Sequence, residues 1–165
     1  MNALAVKGLC KRYPAFSLEN VSFSVPEGAV MGFIGRNGAG KSTTLKSILG
    51  LVHPDAGEVT VLGKSLREEE QYIKERIGVV LGGIDFYPRK KVRQEEKYRH
   101  YLNLFGIDQE KRVDQLSTGM RVKYMIALAL SHDARLLILD EPTSGLDPVS
   151  RDELTELLRR IAADG

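Results

Sequence analysis

The stretch "GRNGAGKS", residues 35 to 42, constrains this chain more than any other part of it. It fits G-x-x-x-x-G-K-[ST] in full. The six residues before it, "AVMGFI" (29–34), form an apolar run that reads as a buried strand. The residues "KSTTLKSILGL" (41–51) read as a helix ended near Gly50 and broken by Pro54. A strand, a glycine-rich turn and a helix in that order make a phosphate cradle. Gly35, Gly38 and Gly40 allow the backbone of Arg36, Asn37 and Ala39 to curl, so that N–H groups face phosphate oxygens. Lys41 is placed to reach the β- and γ-phosphates, Ser42 to ligate Mg²⁺ and Thr43 to donate to the α-phosphate. The helix N-terminus adds partial positive charge.

A phosphate site of this kind needs a metal carboxylate. "RLLILDE" (135–141) supplies one: an apolar run without alternation, expected as a strand covered on both faces, ending in Asp140 and Glu141. Asp140 is placed to hold Mg²⁺ through water. Glu141, one residue further and so expected to point the other way, is the candidate to polarise an attacking water. The remaining segments read as strands at 3–9, 16–25, 57–63 and 76–82, and as helices from Val92 to Phe105, over 117–131 and over 147–163. Strands alternating with helices imply a mainly parallel sheet. "LSTGM" (116–120) opens the 117–131 helix with a serine and a glycine, a second place suited to phosphate.

These motifs together resemble the ATP-binding subunit of ABC transporters: Tyr13, "GRNGAGKST", "LSTGM", "LLILDEP" and "SGLD", in that order, from about Leu4 to the last residue. The resemblance implies an α/β P-loop NTPase of ABC-ATPase type, with a mainly parallel core sheet, an N-terminal antiparallel β part and a reduced helical subdomain. It implies one incomplete ATP-binding domain over 1–165, with that subdomain at 83–131. ATP and Mg²⁺ are the implied ligands, with Tyr13 stacking on adenine. Ser117, Thr118 and Gly119 would contact the ATP of a second such domain, in a homo- or heterodimer, and Asp147 would lie in the loop that crosses it. The implied function is ATP hydrolysis that energises transport through a separate membrane permease, of export type, at the cytoplasmic face of the membrane. A soluble ABC-type ATPase acting on ribosomes or DNA, and a nucleotide-binding module without catalysis, are the alternatives.

Three departures from the family stand out. The glutamine expected after "RIGVVL" is replaced by Gly82, with Asp85 nearby as a substitute through water. The region from Arg89 to Gln115 has room for one good helix and a fragment. The sequence stops at "RRIAADG", before the family's γ-phosphate histidine, which reads as a C-terminal truncation. The charged run "RKKVRQEEKYRH" mixes signs and reads as a solvated helix face.

Bulk properties agree with a soluble globular domain: 165 residues, 42% hydrophobic, 28% charged. A net charge of +2 gives no electrostatic case for nucleic acid, and none is expected as a partner. The single cysteine, Cys10, precludes an internal disulfide and fits a reducing compartment. "MNALAVKGLCKRY" has no apolar run of signal-peptide length, and no stretch approaches the ~18 apolar residues of a membrane span. His53, His100 and His132 have no metal-ligand spacing and read as solvated.

Overall fold

The computed structural model describes residues 1–81 and 94–164. Gly82 and Asp85 lie outside the described residues. The chain divides into two compact units, Met1–Lys74 with Arg159–Gly165, and Glu75–Leu158.

The first unit grows from a long hairpin. β1 (Asn2–Tyr13) and β2 (Phe16–Pro26) alternate β-branched and apolar residues with polar ones and pair antiparallel, from Asn2↔Pro26 to Tyr13↔Phe16. Only Pro14 and Ala15 separate the last pair. β3 (Ala56–Val61) pairs antiparallel with the other edge of β1, and β4 (Lys64–Ser65) with β3, giving the order β2-β1-β3-β4. Leu4, Val6, Leu9, Leu18, Val59 and Val61 are buried in this unit. So are Thr44, Ser47 and Ile48 of α1 (Lys41–Ile48) and Ile73 of α2 (Glu70–Lys74). α1 ends as its sequence suggests, with Leu49 as C-cap and Gly50 at φ 68°.

The expected strand at 29–34 is not formed. Residues 29–36 join no ladder, and Val30, Met31 and Ile34 are exposed, Ile34 to 96%. Phe33 alone of the run finds an aromatic partner, its ring 5.4 Å from that of Phe23. An apolar run states which residues would accept burial. It does not supply a neighbour for their backbone groups, and a strand needs one.

The second unit holds the parallel pairing. β5 (Ile77–Val80) and β6 (Leu136–Leu139) run side by side from Ile77↔Leu136 to Val80↔Leu139. α4 (Thr118–Leu130) packs on β5 and on α3 (Glu95–Leu104). At the α3–α4 contact the Tyr98 and Tyr124 rings meet edge to face, 6.4 Å apart. Burial and the Tyr124 hydroxyl together push the Tyr98 phenol well above its ordinary range. Between α3 and α4 the described residues add a short 3-10 turn at Val113–Gln115, while residues 89–93 of the expected helical region lie outside the described residues. Of β6 only Ile138 is buried and the rest is half-buried, so complete cover of both faces is not reached. α5 (Pro148–Asp164) begins in this unit and ends in the first.

His53 and His100 are exposed as expected, whereas His132 is half-buried. Its Nδ1 lies 2.7 Å from the Leu128 carbonyl, one turn back at the end of α4. That carbonyl also accepts from the Ser131 hydroxyl at 2.8 Å, so two side chains satisfy it at the end of the helix.

Candidate functional site

The cradle forms around the turn into α1. Gly38 and Gly40 take φ of 82° and 90°, conformations that side chains resist. Gly40 is also the N-cap of α1, and its carbonyl accepts from the Thr44 amide at 2.9 Å and the Thr44 hydroxyl at 3.0 Å. No side chain caps this helix start, so its first N–H groups are left for a ligand, with the helix dipole behind them. The Lys41 ammonium donates to the carbonyls of Gly35 at 2.6 Å and Arg36 at 3.1 Å. Its charge therefore sits over the loop. Ser42 is exposed and Thr43 half-exposed at the first turn.

The glycines are not equivalent. A Cβ on Gly40 would stand 2.7 Å from Leu18 Cδ1 and 2.9 Å from Phe16 Cζ, closer than atoms tolerate. A Cβ on Gly35 would meet nothing closer than 3.4 Å, and its φ is not in the left-handed region. The loop's need for glycine is thus at 38 and 40, and not in the backbone at 35.

Tyr13 lies at the turn end of the hairpin, 41% exposed, an aromatic face available to a base. Its ring lies 6.4 Å from that of Phe16 at an interplanar angle of 26°, and the Lys11 ammonium lies 6.0 Å from its centroid. Tyr13 and residues 35–43 belong to the same unit.

The remaining candidates are in the second unit. Asp140 continues the β6 ladder by one bond, its amide donating to the Val80 carbonyl at 2.8 Å. Glu141 is exposed with φ 51°. A left-handed glutamate costs about 1–2 kcal/mol and such strain gathers at functional sites. The expected alternation of Asp140 and Glu141 as strand neighbours is therefore replaced by a turn: the strand ends at Leu139, and the Glu141 carbonyl accepts from Ser144 N–H at 3.0 Å.

Ser117 is the N-cap of α4, its Oγ accepting from the Met120 amide at 3.3 Å. Thr118 and Gly119 follow in the first turn. A Cβ on Gly119 would lie 3.7 Å from Leu146 Cδ2 and 3.8 Å from Ser150, so Leu146, buried at 8% exposure, and the start of α5 flank the signature. Asp147 caps α5. Its Oδ1 accepts from the Ser150 amide at 3.0 Å and its Oδ2 from the Ser150 hydroxyl at 2.5 Å. These bonds, the hydroxyl first, hold its carboxyl below the ordinary range. Phe16 and Ser150 were not singled out in the sequence; the signals were an aromatic three residues after Tyr13 across a Pro-Ala turn, and a serine three after Asp147.

The Ser42 hydroxyl and the Asp140 carboxylate are each hard oxygen donors of the kind that Mg²⁺ accepts. Among the described residues no group of three or more His, Cys, Asp or Glu forms a metal cage of its own. Ser42 falls in the first unit and Asp140 in the second.

A glycine-capped cradle, an apolar strand followed by Asp-Glu, and a serine-capped signature helix define a P-loop NTPase of the ABC type. The ABC transporter family matches over residues 18–144. Among curated proteins, the chain is 34% identical over 163 residues to a bacitracin transport ATP-binding protein of Bacillus licheniformis, covering 90% of this chain and 53% of that one. It is 36% identical over 176 residues to a Nod factor export ATP-binding protein of Burkholderia orbicola, covering 94% and 57%. A solved structure of cbiO1 from Clostridium perfringens, described as part of the ABC transporter complex cbiONQ, matches with a TM-score of 0.83 at 27% identity, covering 99% of this chain and 74% of that one. The chain belongs to the ABC transporter family. It spans little more than half the length of these two curated relatives, 53% and 57%.

Two outcomes follow from this geometry. Gly40→Ala should lower the stability of the chain by about 2–4 kcal/mol, from a strained φ and a clash with Phe16 and Leu18, whereas Gly35→Ala should stay within about 0.5 kcal/mol. Denaturant midpoints check this, and equal losses at both positions would contradict it. The depressed folded-state pKa of Asp147 means that its capping contribution is present above the ordinary carboxylate range, about 4, and is lost as pH falls through the folded value. Asp147→Asn should flatten stability against pH in that acid window, and an unchanged profile would contradict the cap.

Proposed function

We propose that this chain binds and hydrolyses ATP as the ATP-binding subunit of an export-type transporter, driving a separate membrane permease. The observation that carries the reading is the cradle itself: an uncapped helix start behind Gly40, with the Lys41 ammonium drawn over the loop. Phosphate oxygens would replace the Gly35 and Arg36 carbonyls as acceptors from Lys41, exchanging neutral acceptors for charged ones. Tyr13 would hold the adenine and Thr43 an α-phosphate oxygen. Mg²⁺ bound with the triphosphate would neutralise phosphate charge, with Ser42 and Asp140 as its proposed protein ligands. Glu141 would accept a proton from the attacking water.

The signature would serve a partner's nucleotide. Ser117, Thr118 and Gly119 open α4 with a helix N-terminus, and the Ser117 hydroxyl remains able to donate while its lone pair caps the helix. Two copies, or this chain and a related one, would enclose two ATPs between them. The Asp147 loop would lie at the same junction, since Leu146 and Ser150 flank Gly119.

No helix among the described residues is long and apolar enough to cross a membrane; a separate permease would supply the passage. The cytoplasmic face of the membrane, where ATP is, is the proposed location. The region 83–131, proposed as a reduced helical subdomain of a single ATP-binding domain over 1–165, would face that permease. Both relatives are named for transport, and the name of one, a Nod factor export ATP-binding protein, supports the export reading.

Glu141→Gln should keep ATP binding and reduce steady-state turnover by about 100-fold or more, the usual worth of a positioned base. Phosphate release and an ATP-binding isotherm on the same samples read both. Equal turnover in the variant would remove Glu141 from catalysis and favour a nucleotide-binding module.

A further inference from the structure

The turn end of the β1–β2 hairpin and the phosphate loop belong to one unit, and a side chain joins them as well as the chain. Phe16 faces Tyr13 across the hairpin, the rings 6.4 Å apart. On its other side, Phe16 Cζ comes within 2.9 Å of where a Cβ would stand on Gly40. Leu18, two residues along β2 and on the same face, reaches 2.7 Å from that point. Leu18 is buried, Phe16 half-buried and Tyr13 exposed, so the three form a step from the core to the open face. The opposite side of the hairpin end is fixed separately. The Lys11 ammonium lies near the Tyr13 ring and is held by Asp55 Oδ1 at 2.7 Å, while Asp55 Oδ2 accepts from the Arg12 amide at 2.8 Å.

We propose that Phe16 is a positioning residue that sets the span between a base platform at Tyr13 and the phosphate cradle at Gly40. The inference rests on the nucleotide reading above. A ligand that engages both ends gains from having them already spaced, because neither end must be ordered on binding. A ligand that engages only the cradle does not sense the span. Phe16 is the one ring among these contacts that touches both the exposed aromatic and the glycine that caps α1.

The test is calorimetric titration of the intact chain with ATP and, separately, with inorganic tripolyphosphate, which has no base. Phe16→Ala should weaken ATP binding about tenfold and tripolyphosphate binding by less than about twofold, the loss of an aromatic pair and of a preset span. In a Tyr13→Ala background, the further loss of ATP affinity on Phe16→Ala should shrink below about twofold, because the two residues act through one platform. Phe16→Leu, which refills the space beside Gly40 without a flat ring, should fold as the wild type and show the same split between the two ligands. It carries the test if the alanine variant does not fold. Equal weakening of both ligands would make Phe16 a support of the loop alone and overturn the proposal. Unchanged ATP affinity in a chain that binds ATP would overturn it too, leaving the nucleotide reading intact. A wild-type chain that binds neither ligand would overturn both.

Discussion

The contact of Gly40 with Phe16 and Leu18 organises the first unit of this protein. Gly40 carries a left-handed backbone, caps α1 with no side chain of its own, and leaves no room for a Cβ against the hairpin. The left-handed backbone and the close approach demand glycine, and all three features suit the proposed binding of phosphate. The left-handed turn directs the loop, the bare cap leaves helix N–H groups free, and the close approach seats the loop on a buried leucine. Remove any of them and the helix start would be filled, tilted or displaced.

The second unit solves a related problem with side chains. Both α4 and α5 start with an oxygen that accepts from the helix, Ser117 in one and Asp147 in the other. The Asp147 carboxylate is committed to Ser150 within its own helix, so its local role is to fix where α5 begins. Any role across a dimer would be added to that one. Glu141 differs: a glutamate is held at φ 51° next to the end of β6, in a turn that its carbonyl closes by accepting from Ser144 N–H.

Much of this was legible in the sequence because spacing and turn chemistry are local. The hairpin, α1 with its glycine stop, α4 with its serine start and the β5 and β6 runs all appear where periodicity places them. The segment 29–34 was not legible, because a strand needs a partner's backbone and hydropathy shows only its own side chains. The conformation of Glu141 was hidden for a similar reason: strand alternation was carried one residue past the end of the ladder. His132 was read as solvated, yet it caps the last turn of α4, which depends on where that helix stops. Phe16 looked like an ordinary strand residue until the loop was seen to lie against it.

The central claim is that the cradle binds a triphosphate through Lys41. Equilibrium binding of ATP to the wild-type chain and to Lys41→Ala tests it most directly. Loss of a charge-assisted bond predicts affinity weaker by about 10–100-fold in the variant, with the far-ultraviolet spectrum unchanged. Equal affinity in the two proteins would place the nucleotide elsewhere and contradict the account.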